Sequence, residues 1–383
     1  MMPIETLDYV PTLRFKSGER NALSRLNKTV SDRILPHFIL TPLSEKDQEK
    51  KRHLTPDELI HLNARRIGIT WPLRPALVDV RFLFDALGDL GSAAWLPTLF
   101  VQIKGANGLP IPVMTLADIE GGHYEGFKAT IDKIGPDLAL RLQLEDLSDV
   151  RLAIRIQNIL LKLVAKPAQV IVLLDLSDAS FDDKEAISEY LKDTFNRLLA
   201  IGIWRRVILQ ATSYPDSNPA KTNTVVMLKR NEFDIWKSFI ESDPVARDLL
   251  SFGDFGADCA KFTFKSIKVK PIPHIRYSTS DSWIVARGNK QDSAATSIAA
   301  VSNMILESGK FLGSDYSWAD QFIADRASSK GNPGNAITWR QVNTVHHITQ
   351  VVSEIGAIKH FDVERYSNDS LGEQLSFLDA DSS

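Results

Sequence analysis

Lys16, Asp79, Arg141, Asp175 and Asp254 share one kind of position: each closes, or lies within the end of, a short apolar run. The clearest case is the stretch 167–177, PAQVIVLLDLS, which stays apolar until Asp175. Carboxylates gathered at one place would suit a divalent cation or hold a water for general-base chemistry. Lys and Arg beside them would answer phosphate or stabilise developing negative charge. The alternative for each is structural, with Asp175 capping the loop that follows it and Arg141 pairing with an acid in a buried network.

Such residues converge only if the runs are parallel strands of one closed sheet. An apolar run of this length with helical sequence on both sides reads as a strand buried on both faces. Similar runs recur at 10–16, 34–41, 75–79, 110–115, 137–143, 206–213 and 249–254, which with 167–175 makes eight. Helical sequence separates most of them. Thr55-Pro56-Asp57-Glu58 opens one helix with a capping residue, a proline suited to the first turn and a Glu that completes a capping box. Leu152, Ile156, Ile159, Leu160 and Leu163 recur at helical spacing in another. No glycine-rich dinucleotide fingerprint follows the first strand, so the expected architecture is α/β, a TIM-barrel-like (β/α)8 parallel barrel over residues 1–258. In the fifth strand Ala139, Arg141 and Gln143 share the face that a closed barrel turns inward, which places Arg141 in the lumen near the mouth. Active sites of this fold sit at the C-terminal ends of the strands, so Lys16, Asp79, Arg141, Asp175 and Asp254 are the catalytic candidates, with Ser213 on the same rim as a substrate-binding candidate.

Past Gly256 the pattern changes. Residues 262–270 alternate apolar and basic side chains, and His274-Ile-Arg-Tyr and Trp283-Ile-Val-Ala-Arg287 flank a Ser-Thr-Ser-Asp-Ser turn, a hairpin signature. Helical sequence follows at 293–306 and 338–355. A C-terminal cap of hairpin and helices is expected over 259–365, and a polar, acidic and disordered tail over 366–383. Arg276, Tyr277, Arg287, Trp283 and Trp339 offer guanidinium and aromatic groups that would stack on bases and grip phosphates, or else serve as cross-strand pairs and core. His346 and His347 are adjacent on a helix and point about 100° apart, so they cannot both ligate one ion from one face. One flanks the core and the other faces a cleft.

Composition narrows the classes. The chain has 383 residues, more than the roughly 250 to 300 that a single core organises, so one large domain with an appendage is expected. Its formal net charge of −3 makes it no polyanion binder by bulk electrostatics. The single Cys259 excludes an internal disulfide and a Cys-based zinc cage. No signal-type segment opens the chain and no apolar run approaches the ~18 residues of a membrane span, so a soluble cytoplasmic protein with no membrane partner is expected. A P-loop, a GxSxG elbow, an HExxH helix and a Cys-His pair are all absent from the sequence, and the DFG string at 254–256 stands without the other kinase motifs.

Tyr9-Val-Pro, Lys16-Ser-Gly-Glu19, Ala211-Thr-Ser-Tyr-Pro215, Gly253-Asp254-Phe-Gly256, Ile275-Arg-Tyr277, Trp283…Arg287-Gly288 and Trp339-Arg…His346-His347 occur in an order and spacing that resemble the beta family proteins. These are named after a phage beta protein and found in phages and in bacterial mobile or defence-associated neighbourhoods. The likeness runs from Tyr9 to about Ile355. In the second strand, where the pattern calls for an acidic residue, this chain has Pro36-His37-Phe38-Ile39. The family name describes no reaction, and the resemblance implies a phage or defence setting with nucleotide or nucleic acid nearby. Two functions follow as expectations. One is a barrel-mouth hydrolase or lyase for a phosphorylated or nucleotide-type substrate, with Asp79 and Asp175 as base or ligands of a divalent cation and Lys16 and Arg141 stabilising charge. The other is a non-catalytic module that recognises a nucleotide, nucleic acid or partner protein of a defence operon.

Overall fold

The segment Val170–Asp175 is buried at every position, as a strand covered on both faces must be. The computed structural model describes residues 4–41, 54–177, 179–262 and 271–367. Its strands are β1 (Tyr9–Leu13), β2 (His37–Ile39), β3 (Pro75–Asp79), β4 (Leu109–Thr115), β5 (Leu138–Gln143), β6 (Val170–Asp175), β7 (Arg206–Gln210), β8 (Thr224–Lys229), β9 (Leu250–Asp254), β10 (His274–Ser278) and β11 (Ser282–Arg287). The first seven, closed by β9, form a barrel in the order β1-β2-β3-β4-β5-β6-β7-β9, and every neighbouring pair is parallel. The expected α/β, TIM-barrel-like fold is the fold observed. The capping box at Thr55 is formed, with its hydroxyl accepting from Glu58 N and the Glu58 carboxylate accepting from Thr55 N.

Side chains alternate across a strand, so every second residue points into the lumen. The lower lumen is a packed apolar plug of Val10, Leu35, Leu77, Ile111, Val113, Ala139, Ile171, Leu173 and Ile208, with Ile4 and Leu7 filling it from below. Each buried Val, Leu or Ile stabilises the fold by about 1.5–3 kcal/mol relative to exposure. Two residues further along several of these strands the lumen-facing position turns polar: Thr12 after Val10, His37 after Leu35, Asp79 after Leu77, Arg141 after Ala139, Asp175 after Leu173 and Gln210 after Ile208. The lumen is therefore mainly apolar in its lower part, where Arg206 and Ser251 donate to Leu7 O, and polar at its C-terminal mouth.

The chain divides into two compact units. The first, Met1–Phe15, Leu35–Ser213 and Asn231–Phe255, holds the barrel; the second is Lys16–Ile34, Tyr214–Arg230 and Gly256–Ser383. The expected hairpin is present in the second unit as antiparallel β10 and β11, but a third strand joins it, β8, paired antiparallel with β11. Residues 224–229, TVVMLK, carry the β-branched and alternating pattern of a strand, and their partner lies more than 50 residues away in sequence, out of range of a local hairpin signal. One face of this sheet packs Trp283 and Val285 with Tyr214, Ala220, Ala257 and Cys259. The helix Ser17–Leu23 lies against the helix Ala336–Lys359 so closely that a Cβ on Gly18 would come within 2.9 Å of Ile337 O, which makes glycine necessary there. Among the described residues no helix is long and apolar enough to cross a membrane. The charged loop expected at 44–53, the basic alternation over 263–270 and the tail from 368 onward lie outside the described residues.

Candidate active site at the barrel mouth

β2, β3, β5 and β6 each deliver one titratable side chain to the same end of the lumen. Asp79 is 2% exposed, Arg141 5% and Asp175 4%, so all three are sequestered from bulk solvent. Arg141 Nη1 donates to Asp175 Oδ2 at 3.0 Å, and Arg141 Nε stands 3.7 Å from Asp79 Oδ2, an ionic contact longer than a hydrogen bond. Asp79 is held from its other side by Arg81, whose backbone N donates to Oδ1 at 2.8 Å and whose Nε donates to Oδ2 at 2.9 Å. The second oxygen of Asp175 accepts from Ser177 N at 3.2 Å. The structure thus brings Asp79, Arg141 and Asp175 into one network.

His37 extends that network across β2 and β1. It is fully buried, its Nδ1 lies 3.1 Å from Thr12 Oγ1, and its Nε2 lies 3.5 Å from Asp79 Oδ2. The carboxylate favours a proton on Nε2, which leaves Nδ1 to accept from the Thr12 hydroxyl. Burial lowers the pKa of His37; the charges of Arg81 and Arg141 add to this while Asp79 acts the other way, and the imidazole is neutral at pH 7. Burial alone would raise the Asp79 carboxyl, but Arg81, His37 and Arg141 outweigh it and hold Asp79 well below the usual carboxylate range. Burial likewise opposes the charge on Arg141, and Asp79 and Asp175 outweigh it in turn.

Gln210, at the end of β7, completes the polar layer. It lies in register between Asp175 on β6 and Gly253 on β9 and is fully buried. Neither Oε1 nor Nε2 has a hydrogen-bond partner among the described residues. A buried polar group left unsatisfied costs about 1–3 kcal/mol. Beside the network, Asp79, Arg81, Phe84, Val113, Met114, Thr115, Asp118 and Arg141 line a recess of about 10 Å³, room for about one water. Three carboxylates, Asp79, Asp118 and Asp175, and two guanidinium groups, Arg81 and Arg141, stand at the mouth. Among the described residues no group of three His, Cys, Asp or Glu side chains is placed to hold a metal ion.

The other sequence candidates fall at the following positions in the fold. β1 ends at Leu13, and Lys16 is the residue before the helix Ser17–Leu23, in the second unit. Asp254 follows Gly253, whose Cβ position abuts lumen-facing Ile208, so alternation turns Asp254 outward. There it accepts from the Tyr9 hydroxyl, on the face where Phe252 packs against Phe233 and Trp236 of the helix Asn231–Ser242. Ser213 lies beyond the end of β7 and its Oγ accepts from Glu232 N at 3.4 Å.

Within the second unit, Arg276 pairs with Asp258, donates to Ala257 O and lies 4.7 Å above the Tyr214 ring. Arg287 donates to Ala220 O, and Trp339 Nε1 donates to Pro333 O. The Tyr277 hydroxyl donates to Asp320 and accepts from Leu312 N. His346 engages Asp320 Oδ2 and Ser278 O with its two ring nitrogens, while His347 turns to Ser278 Oγ and stacks on Trp283. Tyr277, Trp339, His346 and His347 are all buried and present no open ring face.

Three residues of the mouth, Thr12, His37 and Gln210, are not among the sequence candidates. Their signal is the alternation itself: each stands two positions beyond a lumen-facing apolar residue. No curated protein matches the sequence. The family model described as Beta protein matches residues 9–353, nearly the whole chain. The chain therefore belongs to the Beta protein family.

Proposed function

We propose that this protein is an enzyme of the hydrolase or lyase type, working by acid–base chemistry at the barrel mouth on a nucleotide-type substrate. The observation that carries this reading is His37, a neutral imidazole held between a hydroxyl and an ionised carboxylate beside the guanidinium of Arg141. Such a set serves proton transfer: Nδ1 takes the proton of a hydroxyl, in the resting arrangement that of Thr12, and Asp79 balances the imidazolium that forms. Arg141, fixed by two carboxylates, stabilises negative charge as it develops on the substrate. Asp175 positions Arg141 and does not itself move a proton.

The test is His37→Gln. Wild-type protein incubated with a mixture of nucleosides, nucleotides and their phosphorylated derivatives converts at least one of them, followed by mass spectrometry. His37→Gln slows that conversion by about 10²–10⁴-fold, the usual share of one general acid–base group, and unfolds cooperatively. A mixture left unchanged by the wild type, or converted equally by the variant, sinks the proposal. The near-filled recess supports a second reading, in which the mouth is scaffold and the protein is a recognition module for nucleic acid or a protein partner in a phage or defence assembly. A wild type that converts nothing in the mixture favours it.

A further inference from the structure

We infer that Gln210 reads the substrate, and that the group it reads is neutral and planar with a donor beside an acceptor: a carboxamide, or the lactam edge of a nucleobase. This rests on the mouth being the functional site.

Gln210 follows lumen-facing Ile208 by two residues on β7, is 0% exposed, and has neither amide atom partnered among the described residues. On one side its strand neighbour is Gly253, which has no side chain to offer, and on the other it is Asp175, whose oxygens are engaged by Arg141 and Ser177. A Leu of similar volume would fill the same place without stranding two polar atoms, and since none of the described residues partners the amide, we assign its partner to a bound ligand.

The chemistry of that partner follows from what a carboxamide presents. Its C=O accepts and its NH₂ donates side by side, and the complement is another amide-type edge, for either orientation of the Gln210 amide. A phosphate or carboxylate would satisfy only the NH₂ and would set its charge beside the Asp175 carboxylate. A bare cation would satisfy only the C=O. A group that offers both, carries no charge and is flat meets every constraint. With Asp79, Arg141 and Asp175 all nearly closed off from solvent, the part that enters is small, a ring edge or a terminal amide.

Uracil and acetamide serve as probes for the ring lactam and the open-chain amide, with 1,3-dimethyluracil, acetate and inorganic phosphate as controls. Binding to the intact protein is measured by calorimetry. Wild type binds uracil or acetamide saturably, and whichever of the two is tighter identifies the source of the amide. Dimethyluracil, which lacks the lactam N–H, binds at least tenfold more weakly. Gln210→Leu loses at least tenfold in affinity for the amide while its thermal midpoint stays level or rises, because the substitution removes an unsatisfied buried group. Equal affinity of Gln210→Leu and wild type, or no saturable binding of either amide, overturns the inference. The two proposals fail separately. Amide binding that survives in a protein with no turnover leaves Gln210 as a reader and removes catalysis. Turnover that is lost in His37→Gln but unchanged in Gln210→Leu keeps the enzyme and removes this contact.

Discussion

Two buried polar networks in this chain use similar residues to different ends. In the second unit, Asp320 accepts from Tyr277 and Ser317 and faces His346, whose other nitrogen meets Ser278 O. Tyr277 also accepts from Leu312 N, and Ser317 from Ala319 N and Asp320 N. Each hydroxyl there both donates and accepts. At the barrel mouth carboxylates and guanidinium groups also face one another, but the hydrogen bonds are not complete. His37 Nε2 and Arg141 Nε stand 3.5 and 3.7 Å from Asp79, and Gln210 has no partner among the described residues. A saturated network specifies one packing and has nothing left to bind with. An unsaturated one pays for its open groups in stability and holds them ready.

The sharpest way to break this contrast is Asp320→Ala. It removes the common acceptor of Tyr277 and Ser317 and leaves His346 facing a void, with both His346 and Asp320 almost wholly buried. Losing one partner of such a pair costs about 3–5 kcal/mol. Urea unfolding measures it, and a loss below about 1 kcal/mol would mean that the network does not serve as scaffold. The matching change at the mouth, Asp175→Asn, costs less, about 1–3 kcal/mol. The amide oxygen of Asn still accepts one hydrogen bond, and Arg141 keeps Asp79 beside it. Its turnover should fall further than its stability, since Arg141 loses the group that positions it. Asp320→Ala, by contrast, should leave turnover per folded molecule unchanged. Equal loss of activity in the two variants would erase the difference between scaffold and site.

The barrel and half of its mouth are legible in the sequence because both are written in local patterns. Asp79 and Asp175 each end an unbroken apolar run, and Arg141 shares a strand face with Ala139, so their inward direction needs only strand alternation. What sequence misses depends on where a strand stops. A first strand drawn as far as Lys16 hides Thr12, since β1 ends at Leu13. A seventh strand drawn to Ser213 hides Gln210, where β7 ends. Hydrogen-bonded neighbours set these ends, and those neighbours are distant in sequence. Asp254 shows the other limit: it ends a strand as Asp79 does, but one step of alternation turns it to the outer helices. His37 sits in a strand of three residues, too short for a period-two pattern to announce itself.

The gentlest probe of the comparison is pH, because each unit holds a histidine kept neutral by the fold. Burial and Arg276 bring His274 down to about 4, against a donor-seeking contact with Ile272 O that acts the other way, and burial lowers His37 at the mouth. A histidine with a lowered folded pKa binds its proton more readily when unfolded. Its contribution is therefore complete above the ordinary value of 6.5 and is lost as pH falls through 6.5 toward the folded value. Each such group contributes a slope of at most about 1.4 kcal/mol per pH unit in that window. Thermal midpoints from pH 7 to 5 should fall for the wild type. His274→Gln should remove one share of the slope and His37→Gln the other. Asp79 adds its own loss only below its ordinary value of 3.8, so it does not contaminate this range. A slope that His37→Gln leaves unchanged would mean that His37 is not held neutral in the folded mouth, and the acceptor role of its Nδ1 would go with it.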